Sequence, residues 1–263
     1  MKSKNQSNPG SSPQDDPEEM SFFGFRRIPA REKGRYVLRH FNSIAGKYDF
    51  MNTLLSFGLH YLWKRWAVKT LRLKPGDRVI DVCGGTADLS IYSGKLLGAA
   101  GKVILYDINR AMIEGGRAKV HHAFLGGRVR FVQGDAEFIS FPPGIFDAAL
   151  VGFGIRNLTR MERGLAEMYR VLKPGGKFMC LEFSLPTSPW FRSLYDFYSF
   201  HLMPLAGELL AGTREAYLYL PESIRKFPSP EELSRMLREI GFTQMTYRRL
   251  TNGIAVIYTG VKT

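Results

Sequence analysis

From residue 77 onward, short apolar runs alternate with segments of helical period. RVIDVCG (78–84), KVILYDI (102–108), RVRFVQGD (128–135), IFDAALVGFG (145–154) and GKFMCLEFS (176–184) have the length and continuity of buried strands. Between them, DLSIYSGKLLG, NRAMIEGGRAKVHHAF and LTRMERGLAEMYRVLKPGG predict helices. The last starts near Thr159, carries the stripe Met161, Leu165, Met168 and Leu172, and meets its stop signal at Pro174-Gly175-Gly176. Strands separated by helices run parallel, which predicts a doubly wound α/β sheet. Ser229 and Pro230 open one more helix to Ile240. FTQMTYRRL, a Thr-Asn-Gly turn and IAVIYTGVK then form an antiparallel hairpin, bringing the sheet to seven strands.

Upstream, YDFMNTLLSFGLHYLW (48–63) carries two stripes at helical spacing. Asp49, Asn52, Ser56, His60 and Trp63 share one face, and Met51, Leu55, Leu59 and Leu62 share the other. An amphipathic surface helix accounts for the spacing. Trp63 beside His and Asn points instead to a half-dry pocket wall, and Gly58 splits the segment into two short helices with a bend. On that second reading the polar stripe faces a cleft and the apolar stripe packs on the sheet.

Composition narrows the class. Residues 1–34 are rich in Pro, Ser and Asn and predict a flexible tail, leaving one domain over 35–263 with a helical cap at 35–75 and an aromatic-rich insertion at 186–222. The chain has no secretory core and no apolar run of about 18 residues, so a cytoplasmic protein is expected. Cys83 and Cys180 form neither a metal-ligand pattern nor a disulfide framework. The net charge is +13, and residues 1–20 hold two lysines against four acids, so the remainder carries +15. Such a balance favours an anionic partner, whether nucleic acid, acidic cofactor or lipid surface. The basic residues are scattered in pairs, and no zinc pattern, RNP-type motif or dense basic arm supports a nucleic-acid-binding protein.

The strand tips carry the candidate chemistry. VIDVCGGTADLS (79–90) is a strand, a glycine turn at Gly84-Gly85 and a helix start, a geometry that aims backbone N–H groups at a ligand. It departs from G-x-G-x-x-G, and Asp81 precedes it, which argues against a nicotinamide enzyme. Asp107 ends the second strand where a carboxylate grips a ribose, although it also suits a helix cap. Asp135 and Ala136 follow the third, where an acidic side chain accepts from an adenine amino group. Three such tips in succession point to an adenosine-containing cofactor.

This order, with the terminal hairpin, resembles the class I methyltransferases that use S-adenosylmethionine. YDFMNTLLSFGLHYLW, RVLKPGGKFMCLEFS (170–184) and FGIRN (153–157) resemble the signature segments of the demethylmenaquinone and 2-polyprenyl-6-methoxybenzoquinol C-methyltransferases, from about residue 38 to the end. The resemblance implies a Rossmann-like fold, cofactor contacts at Thr86, Asp107, Asp135 and Ala136, supported by Asp81, Gly84, Gly85 and Gly152, and a reduced polyprenyl quinol as substrate. Ala87 stands where the family usually has Gly, and Gly152 where a hydroxyl or another small residue often sits. Both departures bear on cofactor affinity.

Ring-carbon methylation draws electron density from a deprotonated phenolic oxygen, so a base or a hydrogen-bonding water is expected near it. His60 is a candidate base or a structural hydrogen bonder, and Asp49 lies on the same stripe. Arg156 and Asn157 follow the fourth strand, where Arg156 either stabilises a phenolate or pairs with Glu162 or Asp49. Residues 189–220 read as ordinary core or as a greasy lid for a prenyl tail, with Arg and Lys resting on anionic headgroups. The sequence leaves a homodimer open, and also the choice between a naphthoquinol and a benzoquinol ring.

Overall fold

The computed structural model describes residues 19–263. The chain opens with an antiparallel hairpin, β1 (Met20–Phe23) and β2 (Arg26–Pro29), followed by α1 (Ala30–Ile44), α2 (Tyr48–Leu55) and α3 (Leu59–Thr70). This corrects the predicted tail: residues 20–34 are folded, and only 1–18 lie outside the described residues. The hairpin has little to bury by itself. Phe23 stacks on Tyr219 far along the chain, with ring centroids 4.2 Å apart, and the Phe25 N–H donates to Glu222. Local composition cannot register such a partner.

The sheet follows: β3 (Arg78–Val82), α4 (Asp88–Leu96), β4 (Lys102–Asp107), α5 (Arg110–His122), β5 (Val129–Gln133), β6 (Phe146–Gly152), α6 (Met161–Val171) and β7 (Leu172–Phe183). An inserted helical segment comes next, α7 (Pro189–Phe197), a π-turn, α8 (Met203–Ala211) and α9 (Arg214–Lys226), before α10 (Pro230–Ile240), β8 (Phe242–Leu250) and β9 (Ala255–Lys262). The strand order is β5-β4-β3-β6-β7-β9-β8, parallel from β5 to β7 and antiparallel in the terminal pair. The seven-stranded doubly wound sheet expected from the apolar runs is therefore present. The order in which strands are added across the sheet reverses between β3 and β6, which opens a crevice over their C-terminal ends.

Period-two alternation sorts the strand residues onto two faces. Val79, Leu105, Leu150 and Leu181 pack with Trp63, Ala67 and Val68 of α3, and Ile80, Val82, Val151 and Cys180 pack with Leu165 and Met168 of α6 and Leu233 and Leu237 of α10. Ser229 caps α10 in a reciprocal capping box with Glu232, a device that contributes about 1 kcal/mol. One boundary moves. Helix α6 ends at Val171, and Pro174-Gly175-Gly176 lies within β7, where pairing jumps from Phe146↔Leu172 to Ala148↔Lys177 and Gly175 adopts φ +76°. The Pro-Gly-Gly signal thus marks a bulge two to four residues past the point where β7 begins to pair, not the helix stop.

The expected bend is present: α2 and α3 meet at Gly58, with φ +73°. The apolar stripe does not pack on the sheet as predicted. Met51 and Leu55 join Ile44, Ala216 and Tyr217 in a separate small core beneath α9, Leu59 leans on the sheet-side core, and Leu62 is exposed. Trp63, from the polar stripe, is the residue buried against the sheet, its indole N–H donating to Thr251 at 3.0 Å.

Candidate active site

The turn after β3 is tightly bent. Cys83 (φ +55°), Gly85 (φ +52°) and Ala87 (φ +72°) are all left-handed, and only Gly85 adopts that region without cost. A Cβ on Gly84 would lie 2.6 Å from Leu105, so this glycine serves close packing. The Gly85 N–H donates to Asp107 Oδ2 at 2.8 Å and the Asn109 N–H to Oδ1 at 2.7 Å. One lone pair on each oxygen stays free, the acceptor set that a ribose diol needs. Burial raises the Asp107 carboxyl above its ordinary range, against these backbone donors.

Asp107 faces a crevice of about 120 Å³ whose walls include Gly85, Asp135, Ala136, Gly152, Asn157 and the apolar Tyr106, Met112 and Leu158. A donor set of this kind fits a nucleoside: carboxylates at two strand tips, with apolar surface between. No side chain can be added at Gly134 or Gly152 without striking Tyr106 or Leu89. Three of the expected cofactor residues stand behind the crevice instead of lining it. They are Gly84, Thr86 and Asp81, whose fully buried carboxyl accepts from Ser90 at 2.6 Å and is pushed up to about 7 by burial, with Ser90 opposing.

Thr86 leads to a network that the sequence did not disclose. Its hydroxyl donates to Asp49 Oδ1 at 2.7 Å, and Asp49 Oδ2 pairs with Lys119 of α5 at 2.9 Å. Lys119 also reaches Asp88 at the start of α4, and Lys64 of α3 holds the other oxygen of Asp88 at 2.6 Å. Burial would raise the Asp88 carboxyl, but the two ammonium groups overcome it and hold it at about 2. Asp49, expected in the cleft as a catalytic group, is thus a strut between α2 and the cofactor turn.

Beside the crevice lies a larger, mainly apolar cavity of about 460 Å³, walled by α1, the α2–α3 bend, α7, the π-turn and α9. Asn52, Ser56, His60 and Trp63 line it as the polar stripe implied, and so do Met51, Leu55 and Leu59 of the other stripe. Phe41, Tyr48 and Phe153 border both spaces and mark where they meet. Arg156 lies in the cavity wall. Its partner is neither Glu162 nor Asp49 but Glu182 at the end of β7, 2.7 Å away, and the Phe153 carbonyl takes a second contact. Both side chains are buried, and the Arg156 Nε has no partner among the described residues. Asn157 faces the crevice, its Oδ1 accepting the Tyr219 hydroxyl at 2.7 Å.

His60 is less available than its position promised. The Thr53 hydroxyl donates to the Asp49 carbonyl at 2.8 Å, so it accepts from His60 Nε2 at 3.2 Å, which leaves the lone pair on Nδ1. That Nδ1 is sealed from solvent without a partner, and Tyr61 covers the ring at 3.9 Å. Burial, then Lys64, pushes its pKa down to about 4. His60 therefore offers the cavity a ring edge and no basic nitrogen. Lys119, Glu182 and Tyr219 went unnoticed in the sequence because each acquires its role from a partner at least 26 residues away on another element.

Comparison with known proteins agrees with this geometry. Residues 30–262 match the model of the ubiE/COQ5 methyltransferase family. A ubiquinone/menaquinone biosynthesis C-methyltransferase from Marinomonas sp. (strain MWYL1) is 45% identical over 249 residues, covering 95% of this chain and 99% of the relative. The protein of the same description from Azotobacter vinelandii is 44% identical, covering 93% and 97%. Among solved structures, a SAM-dependent methyltransferase from Thermotoga maritima superposes with TM-score 0.60 at 22% identity, over 86% of this chain and all of that one. Phosphoethanolamine N-methyltransferase 2 from Haemonchus contortus, in complex with S-adenosyl-L-methionine, gives 0.57 at 15% identity, over 76% and 52%, a likeness of fold. The crevice at the strand tips, the cavity beside it and the match along nearly the whole chain agree: this chain belongs to the ubiE/COQ5 methyltransferase family.

Proposed function

We propose that the protein is an S-adenosylmethionine-dependent C-methyltransferase acting on the ring of a reduced polyprenyl quinol, the precursor of menaquinone or of ubiquinone. The observation that carries this reading is the junction at Phe41, Tyr48 and Phe153, where a crevice with a nucleoside's complement of acceptors meets a cavity suited to an apolar ring. Gly85, Asp107, Asp135, Ala136 and Gly152 would hold the cofactor, with Asp81, Gly84 and Thr86 shaping the turn behind them. When bound, S-adenosylmethionine supplies an electrophilic methyl group on a sulfonium, so the chain's task is to orient the ring, keep water out and handle one proton.

Arg156 is suited to stabilising the phenolate that feeds electron density to the ring carbon, and Glu182 holds the guanidinium in place. Phe153, stacked on Phe183 at 4.2 Å with Trp63 alongside, keeps this end of the cavity dry. A buried cation beside aromatic faces gains strength from the low local dielectric.

The cavity's outer rim supports contact with a lipid surface. Phe57, Leu194, Phe197 and Leu202 line the cavity and are also exposed, and Trp190 and Leu209 stand 70% and 74% accessible on the adjoining helices. Among the described residues no helix is long and apolar enough to cross a membrane. Docking of this rim on the anionic inner face of the cytoplasmic membrane, with the prenyl tail entering from the lipid, accounts for both observations. Methyl transfer to a reduced quinol, run beside an RNA control and a reaction without acceptor, tests the activity. Binding to anionic vesicles that weakens with salt supports the docking, whereas no binding at either ionic strength, or a homodimer by sedimentation that hides the rim, overturns it.

A further inference from the structure

His40, near the end of α1, is a titratable group of the cavity wall that neither the Asp49–Lys119–Asp88–Lys64 network nor the Arg156–Glu182 pair engages. Its ring sits among aromatics: Tyr219 at 4.7 Å, Phe41 edge-on at 5.1 Å and Phe23 of the hairpin edge-on at 6.1 Å. The hydrogen bond that His40 makes within the described residues is through its backbone carbonyl, which accepts from Ser43, so both ring nitrogens are unclaimed. His60, by contrast, has one nitrogen committed and the other sealed. Two neighbours tie His40 to the reaction. Arg156 lines the same cavity, and Tyr219, against the His40 ring, bonds Asn157 in the cofactor crevice.

We propose that His40 is the catalytic base that accepts the hydroxyl proton of the ring being methylated, with Arg156 facing the same oxygen. This deepens the quinol reading above and rests on it. Burial, then the Arg156 cation, holds the imidazole neutral by pushing its pKa down to about 4, so a free nitrogen lone pair is present across the physiological range. That depression also makes it a weak base until the substrate arrives. An oxyanion forming between His40 and Arg156 screens the guanidinium and attracts the new imidazolium, so basicity rises as the proton moves. Among the ionisable groups on the elements packed here, the Tyr219 hydroxyl is committed to Asn157, Glu222 is turned to the Phe25 N–H, Arg225 pairs with Asp196, Lys226 lies over the Phe22 ring, and Arg26 and Arg39 lie over the Tyr36 ring.

The bookkeeping of atoms closes. The phenolic O–H bond breaks, its electron pair stays on oxygen and is delocalised to the ring carbon, and an N–H bond forms on His40. Formation of the new carbon–carbon bond would be matched by cleavage of the methyl–sulfur bond of the bound sulfonium, whose electron pair would stay on sulfur, and the proton on the methylated carbon then leaves to water. Its electron pair restores the aromatic ring, and the oxygen recovers the proton from His40.

The test uses the full chain with His40→Phe, which keeps the ring stack, and His40→Gln, which keeps a hydrogen-bonding end. General-base loss is expected to lower kcat about 100-fold in both, with quinol KM and cofactor Kd within about threefold, and with the deficit shrinking as pH approaches ionisation of the phenol itself. In the wild type, the His40 ring nitrogen resonance is expected to titrate well below a free imidazole and to shift when a redox-stable methoxyphenol with a short prenyl tail is added. A kcat within twofold of wild type at every pH in either soluble variant, or a ring signal unmoved by the phenol, overturns the assignment. Failure of the wild type itself to methylate the quinol overturns the reading beneath it.

Discussion

The crevice and the cavity are neighbours built on opposite principles. The crevice is made by a sheet: its directional groups are strand-tip carboxylates and backbone N–H donors whose positions follow from parallel register, and they come from one stretch between residues 83 and 159, with apolar residues of α1 and Tyr48 closing the other side. The cavity is made by helices, and its walls are side chains drawn from residue 40 to residue 254, few of them hydrogen-bonded to each other. A polar ligand that recurs unchanged calls for directional groups held stiffly. A greasy ring and tail call for volume and dryness, which many arrangements of aromatic residues supply. Bonds from Thr86 to Asp49, from Asn109 to Asn42 and from Tyr219 to Asn157 join the regions, and each ties a helix of the cavity to a loop of the crevice.

Substitutions separate the two principles. The largest effect is expected from Asp107→Ala, which removes the acceptor of two backbone donors and of the ribose together. Cofactor affinity should fall by about 100-fold or more, while circular dichroism and binding of a prenylated phenol stay unchanged. Retained micromolar affinity by calorimetry would break the division of labour. Next, Glu182→Gln leaves the Arg156 cation buried without its counter-charge and should cost about 3–5 kcal/mol in denaturant unfolding. A double replacement of Arg156 and Glu182 by Met should recover most of that stability and none of the activity.

Asp81 sharpens the picture of the crevice as a strained element. An acid raised above its unfolded value favours the fold only while protonated, so its contribution is complete below about pH 4 and is lost as pH climbs to about 7. Asp81→Asn should remove that slope, making the variant about 2–3 kcal/mol more stable at pH 8 than at pH 5 relative to wild type. Parallel stability curves would show that the carboxyl is charged in the fold. The smallest effect falls on the joint between the regions. Lys119→Met frees α2 from α4 and should raise quinol KM about fivefold, with cofactor Kd within about twofold and a loss of about 1–2 kcal/mol in stability. Lys119→Arg should restore most of the quinol KM.

The same contrast decides what was legible beforehand. Apolar runs of strand length disclosed β3 to β7, because burial within a parallel sheet leaves a continuous hydrophobic signature, and the Thr-Asn-Gly turn disclosed the terminal hairpin. Asp107, Asp135 and Ala136 were placed correctly at the crevice for a related reason: a strand's end in sequence is also its end in space. The helical half gave less away. The stripe of residues 48–63 correctly marked Asn52, Ser56, His60 and Trp63 as cavity groups, yet Trp63 is buried against the sheet and Asp49 turns toward Lys119, 70 residues on. Charge partners were missed for the same cause. Glu182 lies on β7, the parallel neighbour of the strand β6 that Arg156 follows, a relation set by strand order and not by spacing along the chain.

The hairpin of residues 20–29 reaches across to α9 and closes over the ring of His40 through Phe23. Shortening the gene to discard a polar leader, a routine step before crystallisation, would strip one side from that histidine's enclosure if the cut fell after Phe23. Such a product would keep its sheet and its nucleoside crevice, and lose methylation for a reason that no inspection of the strand tips would disclose.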